Sequence, residues 1–166
     1  MATRERNLEL AKELVDALRK AELFITTVES CTGGGLAYYV TNIPGASDVM
    51  KDSFITYSNE AKLALGVPEQ TIRSYTVYSQ ETALAMANAG RLRSVRADVS
   101  VGITGSISRV DPQNPNSKPG QVYVAVMYGQ ESLCRTLDIR PGERIDVKDE
   151  IIEKALQMAL EIINKK

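Results

Sequence analysis

Residues 5–20 place Leu8, Ala11, Val15 and Leu18 at helical spacing with Glu, Lys and Arg between them, which predicts an amphipathic helix. Leu23-Phe24-Ile25-Thr26-Thr27-Val28 follows, an apolar and β-branched run of the kind that strands buried on both faces carry. Ser30-Cys31-Thr32-Gly33-Gly34-Gly35 interrupts the pattern, and Leu36 to Val40 then reads as helical. Residues 49–57 predict a second strand ending at Tyr57. Ser58-Asn59-Glu60 is a capping sequence for a short helix from Ala61 to Leu65, closed by Gly66 and Pro68. A further helix starts at Ser79, and Ala83, Met86, Ala87 and Gly90 give it a small-residue inner face suited to close packing on a sheet.

Strand periodicity returns where Val99, Val101 and Ile103 alternate with Ser100, Gly102 and Thr104. Val122, Val124 and Val126 repeat it, and Leu133 to Ile139 supplies another strand. Ile152, Ala155, Leu156, Ala159, Ile162 and Ile163 mark the inner face of a C-terminal helix. Between these elements, residues 106–120 contain Pro112, Pro115 and Pro119, which rule out both a regular helix and a central strand. A loop of that length inside a compact domain is often functional. The order of elements predicts one α/β domain over residues 1–166, with helices on both faces of a mixed, mostly parallel sheet.

Composition narrows the chemistry. The 166 residues are 43% hydrophobic and 25% charged, an ordinary globular balance. With 20 Lys plus Arg against 21 Asp plus Glu, the formal charge is −1, which gives no excess of cations for a nucleic-acid backbone. The charged start, Met1-Ala2-Thr3-Arg4-Glu5-Arg6, is unlike a signal peptide, and no run approaches the roughly 18 apolar residues of a membrane span. Two cysteines, Cys31 and Cys134, form no disulfide framework, so a cytoplasmic protein without nucleic-acid or membrane partners is expected. The chain has no histidine. That excludes Ser-His-Asp and Cys-His mechanisms and His-ligated metal sites within one chain, and leaves hydroxyl, amine and carboxylate groups.

Three segments can carry such chemistry. Glu29-Ser30-Cys31-Thr32-Gly33-Gly34-Gly35 lies at the end of a predicted buried strand, where ligands of open α/β sheets bind. Its glycines permit close backbone approach, and amides at a helix N-terminus attract negative charge. Taken alone, it also reads as an N-cap and a tight turn. Tyr57-Ser58-Asn59-Glu60-Ala61-Lys62 sets Lys62 in the first turn of a helix, where the dipole favours a neutral amine. Bringing a lysine from about 10.4 to about 7 takes roughly 4–5 kcal/mol, and the dipole supplies at most ~2, so burial or a second cation must supply the rest. From these six residues alone, a surface lysine is the simpler reading. Gly102-Ile103-Thr104-Gly105 delivers polar residues to the same expected sheet edge, and equally reads as a turn. Cys31, beside Ser30, is a buried small residue or a thiol with no histidine to activate it.

Together these segments resemble the CinA C-terminal domain family. Val28-Glu29-Ser30-Cys31-Thr32-Gly33-Gly34 is similar to its (A/V)ESCTGG motif. Asn42–Ser47, Tyr57–Lys62, Leu65–Pro68, Ser79–Ala87 and Gly102–Gly105 are similar in order, over residues 7 to 163. The resemblance implies a three-layer α/β/α sandwich and a homo-oligomeric nicotinamide-nucleotide amidohydrolase of pyridine-nucleotide salvage. Such an enzyme deamidates nicotinamide mononucleotide to nicotinate mononucleotide and ammonia, without metal or cofactor. It assigns Ser30, Tyr57 and Lys62 as catalytic, with Ser30 as nucleophile and Lys62 and Tyr57 handling protons. Cys31, Thr32, Gly33, Gly34, Thr104, Gly105 and Arg109 are the expected substrate-binding residues, the 32–34 amides serving either the oxyanion or the phosphate. Because many family members carry a large N-terminal domain, this chain is expected to be the stand-alone form. The family's usual T-G-x-A-G-P-G-G-G is absent. Thr104-Gly105-Ser106-Ile107-Ser108-Arg109-Val110-Asp111-Pro112 stands in its place, with Arg109 and Lys118 as possible anion anchors. That change admits a related amidase with another substrate, or a catalytically silent nucleotide-binding member.

Overall fold

The computed structural model describes residues 3–165; Met1, Ala2 and Lys166, at the ends of the expected 1–166 domain, lie outside the described residues. The chain runs α1 (Thr3–Lys20), β1 (Ile25–Glu29), α2 (Gly35–Thr41), β2 (Phe54–Ile55), α3 (Asn59–Leu65), α4 (Glu69–Tyr75) and α5 (Gln80–Arg93). It continues through β3 (Val99–Ser106), β4 (Gln121–Tyr128), β5 (Glu131–Asp138) and α6 (Arg144–Asn164). The five strands form one sheet in the order β2-β1-β3-β4-β5. β2, β1 and β3 are parallel, and β4 is antiparallel to both β3 and β5, so four strands share a direction and β4 alone opposes them. α1, α2 and α6 pack together on one face and α5 covers the other, with α3 and α4 against it. This is the expected α/β/α sandwich on a mixed, mostly parallel sheet.

The alternation along β3 explains the two faces. Val99, Val101 and Ile103 enter the core built with Leu14, Leu18, Ile152 and Leu156 of α1 and α6. Gly102 faces α5, where an added Cβ would collide with the Ala83 carbonyl. The small inner face of α5 therefore lets helix and sheet approach closely, as its sequence predicted, and all eight residues of β3 are buried.

Three elements differ from expectation. The strand expected over 49–57 shrinks to Phe54–Ile55, because Val49 and Met50 bond back to the Ala46 carbonyl in a turn. α4 has no buried residue, hence no apolar stripe to announce it. α6 also starts at Arg144, two turns before the apolar face that marked it, and its first turn brings Arg144 to the sheet edge described below. No helix among the described residues is long and apolar enough to cross a membrane.

Candidate active site

Register fixes the site's floor. Glu29, the last residue of β1, pairs with Ile55 of β2 and Ile103 of β3, so the next residues of all three parallel strands emerge at one carboxyl edge. Ser30 is held there by its N–H, which donates to the Ile103 carbonyl at 3.0 Å. Glu29 is fully buried, and its carboxylate accepts from Thr32 Oγ1 (2.7 Å), Thr27 Oγ1 (3.2 Å), Leu36 N (2.9 Å) and Ala37 N (3.0 Å). A buried carboxylate with four donors is the arrangement that makes its burial tolerable.

Glu29 therefore fills the N-terminus of α2 from inside. The Leu36 and Ala37 amides are bound to it, and the Gly33 and Gly35 amides close turns onto Ser30 and Thr32. Gly33 and Gly34, at φ 62 and 92, shape the turn in a conformation that L side chains resist. Thr32, Gly33 and Gly34 do not line the cavity at this edge, whereas Cys31 does. Among the described residues, the Thr32 amide has no backbone acceptor, while the Cys31 amide meets its own thiol. The Cys31 thiol is pushed up to about 12, first by burial and then by the Glu29 carboxylate, so it stays protonated and unreactive.

Lys62 is the largest departure from a local reading. It is 2% exposed, in the middle of α3, whose Ser58 caps the helix by accepting from the Ala61 N–H. Its Nζ lies 3.0 Å from Ser30 Oγ and donates to the Thr56 carbonyl at 2.8 Å. Burial lowers the ammonium from 10.5 to about 8, against an opposing pull from Cys31 and Asp111. Desolvation thus supplies what the helix dipole cannot. Neutral, the amine can keep one N–H on Thr56 and turn its lone pair toward the Ser30 hydroxyl.

Tyr57 lines the same cavity but is 64% exposed, and its hydroxyl accepts from Arg144 Nη2 at 3.3 Å and not from the Ser30–Lys62 pair. Arg144 also donates to Ser108 Oγ at 3.3 Å. The cavity, about 210 Å³, is roofed by the 106–113 segment, including Arg109 and Asp111, with Tyr78 at its side. Tyr78 donates to Asp111 Oδ2 at 2.7 Å. Gly105 lines the cavity, but its missing side chain is required by β4, since a Cβ would sit 2.6 Å from Val122 Cα. Thr104 is fully buried outside the cavity lining, and its hydroxyl holds the Val77 carbonyl at 2.8 Å, fixing the approach to α5.

Among the lining residues that the sequence does not single out for the site are Tyr78, Asp111 and Arg144. Asp111 had a signal, being the only acid in residues 106–120 of a loop already suspected of function. Arg144 and Tyr78 have none, because Arg144 opens α6 two turns before its apolar face and Tyr78 lies in the bend between α4 and α5.

A mixed sheet between two helical layers, with a serine and a buried lysine meeting at its carboxyl edge, defines an α/β/α protein with a serine–lysine site. The chain belongs to the CinA C-terminal domain family, whose model matches residues 7–163. The nicotinamide-nucleotide amidohydrolase PncC of Escherichia coli K12 is 33% identical over 151 residues, covering 90% of each chain. A CinA-like protein of Chloroherpeton thalassium is 36% identical over 163 residues, 95% of this chain and 38% of its own length. The chain thus spans little more than a third of the length of such relatives. The crystal structure of the competence/damage inducible protein CihA from Agrobacterium tumefaciens matches with a TM-score of 0.85 at 31% identity, over 96% of both chains.

Proposed function

We propose that the chain is an amidohydrolase that deamidates nicotinamide mononucleotide, with Ser30 as nucleophile and Lys62 as general base and acid. The observation that carries this reading is the buried Lys62 amine 3.0 Å from Ser30 Oγ. At a value of about 8, roughly a tenth of the amine is neutral at pH 7 and about half at pH 8. Ser30 Oγ attacks the carboxamide carbon as Lys62 takes its proton. The amide of Cys31, the residue after Ser30 and one that lines the cavity, is the donor assigned to the resulting oxyanion. Lys62 returns the proton to the nitrogen, the C–N bond breaks, and ammonia leaves an ester on Ser30. Water, deprotonated by the same amine, opens the ester to nicotinate mononucleotide and free serine.

Arg144 and Arg109 are the cations available to the substrate phosphate, and Tyr57 braces Arg144 where the family resemblance assigns it a proton-handling role. Ammonia release from nicotinamide mononucleotide tests the reading. Wild type turns over; Ser30→Ala and Lys62→Ala lose at least about 10²-fold; Tyr57→Phe distinguishes bracing, seen in KM, from proton transfer, seen in kcat. Full activity in Ser30→Ala removes the nucleophile. The altered 106–120 loop favours a second reading, an amidase for another phosphorylated amide, which activity on such an amide and none on the mononucleotide would select.

A further inference from the structure

The cavity is lined by charges of both signs, Arg109 and Arg144 against Asp111. Arg144 stands on the Tyr57 and Ser108 side, while Asp111, the one carboxylate among the lining residues, stands against Tyr78. Asp111 is firmly placed: Oδ2 accepts from Tyr78 Oη and Asn114 Nδ2, each at 2.7 Å, and Oδ1 accepts from the Gln113 N–H at 3.0 Å. Asn114 first, then Tyr78 and the Gln113 amide, hold its carboxyl below the usual carboxylate range, while burial and the hydrogen bond to Asp111 push the Tyr78 phenol up. The pair is therefore an anion and a neutral phenol. Among the described residues, none of the ion pairs includes Asp111, Arg109 or Arg144. The cation whose field Asp111 does feel is Lys62, which is neutral in its working form. At that moment the carboxylate lines the cavity outside any ion pair among the described residues, and Arg109 and Arg144, which line the same cavity, are not within ion-pair distance of it.

A ligand that is anionic at one end and cationic at the other complements a cavity lined by two arginines and one carboxylate. Nicotinamide mononucleotide is such a molecule: its phosphate is an anion, and its ring nitrogen, bonded to ribose, makes the ring a pyridinium cation. We propose that Asp111 is a specificity-determining residue, its carboxylate receiving the pyridinium ring beside Tyr78 and so selecting cationic-ring carboxamides over neutral ones. This inference rests on the nicotinamide-nucleotide reading of the site. A carboxylate near an unscreened ring cation is worth about a tenfold preference in a partly exposed cleft.

The test measures binding by calorimetry in the Ser30→Ala protein, using nicotinamide mononucleotide and its reduced dihydropyridine form. The two share carboxamide, ribose and phosphate and differ in ring charge. The expected result is about tenfold tighter binding of the oxidised form. Adding Asp111→Asn should collapse that ratio toward one and leave the reduced form's affinity unchanged, while Asp111→Glu retains a preference. Equal losses for both ligands in Asp111→Asn would make Asp111 a holder of the loop or of the carboxamide and overturn the assignment, as would a ratio indifferent to the substitution. If Ser30→Ala binds neither ligand and wild type hydrolyses no mononucleotide, the ring assignment and the functional reading fall together. Hydrolysis by wild type with an unchanged ratio sinks the ring assignment alone.

Discussion

Two segments leave the same sheet edge, the Ser30–Gly35 turn after β1 and the 107–120 loop after β3, and different kinds of bond hold them. The turn is fixed by a buried carboxylate, four donors and two glycines in left-handed conformations. The loop is mostly exposed and is tied down by side chains at its surface. Asn114 and Asn59 exchange amide bonds at 3.1 Å, Gln113 donates to Glu60 at 2.7 Å, and Asp111 accepts from Tyr78. Each surface bond contributes about 0.5–1.5 kcal/mol, whereas a buried charge stripped of a partner costs several. Groups that must meet within hydrogen-bond reach sit on the rigid segment and on buried Lys62. Groups that distinguish ligands sit on the segment that can vary without unfolding the sheet.

The largest expected effect is on the rigid side. Lys62→Met should lower turnover by about 10²–10⁴-fold, measured as ammonia release. It should also change how stability depends on pH. Lys62 titrates at about 8 folded and at 10.5 in its ordinary state, so between those values the unfolded chain binds more protons than the folded one. Keeping it buried therefore costs about 3 kcal/mol below pH 8, a penalty relieved as pH rises toward 10.5. Urea titrations across that window should show wild-type stability rising and this contribution absent from Lys62→Met.

Glu29→Gln comes next. A neutral amide cannot accept from all four donors, and a loss of about 2–4 kcal/mol in urea unfolding is expected. On the loop side the effects shrink. Asn114→Ala should cost no more than about 1 kcal/mol of stability and leave kcat intact, while raising KM several-fold as the roof over the cavity loosens. A stability loss as large as that of Glu29→Gln would erase the distinction between the two segments. The smallest effect belongs to Asp111→Asn in a pH–rate profile. Removing a negative charge that favours the Lys62 ammonium should move the acid limb to lower pH, and a move to higher pH would contradict the electrostatics.

The same division explains what the sequence made legible. β1, β3, β4, α1 and α5 are written in apolar runs or periods, because β1 and β3 are buried on both faces and the others bury an inner face against a fixed neighbour. The Ser30 turn was visible as a polar and glycine-rich run at a strand end. Burial of Lys62 was not, since its six-residue surroundings look like an exposed capped helix. What buries it is the approach of α3 to the carboxyl edge, a tertiary fact that no local period encodes. The part Glu29 plays at α2 is equally hidden from local sequence: it reaches forward seven and eight residues to accept from the Leu36 and Ala37 amides. Arg144 and Asp111 arrive from elements whose identifying residues lie elsewhere.

The most direct test is the titration of the Lys62 amine itself, followed by NMR in protein with ¹⁵N-labelled lysine and assigned by loss of the signal in Lys62→Met. A midpoint of about 8, well below the ordinary lysine value of 10.5, is the predicted result. An amine that remains fully cationic beyond pH 10 would contradict it, and Ser30 would then have no base.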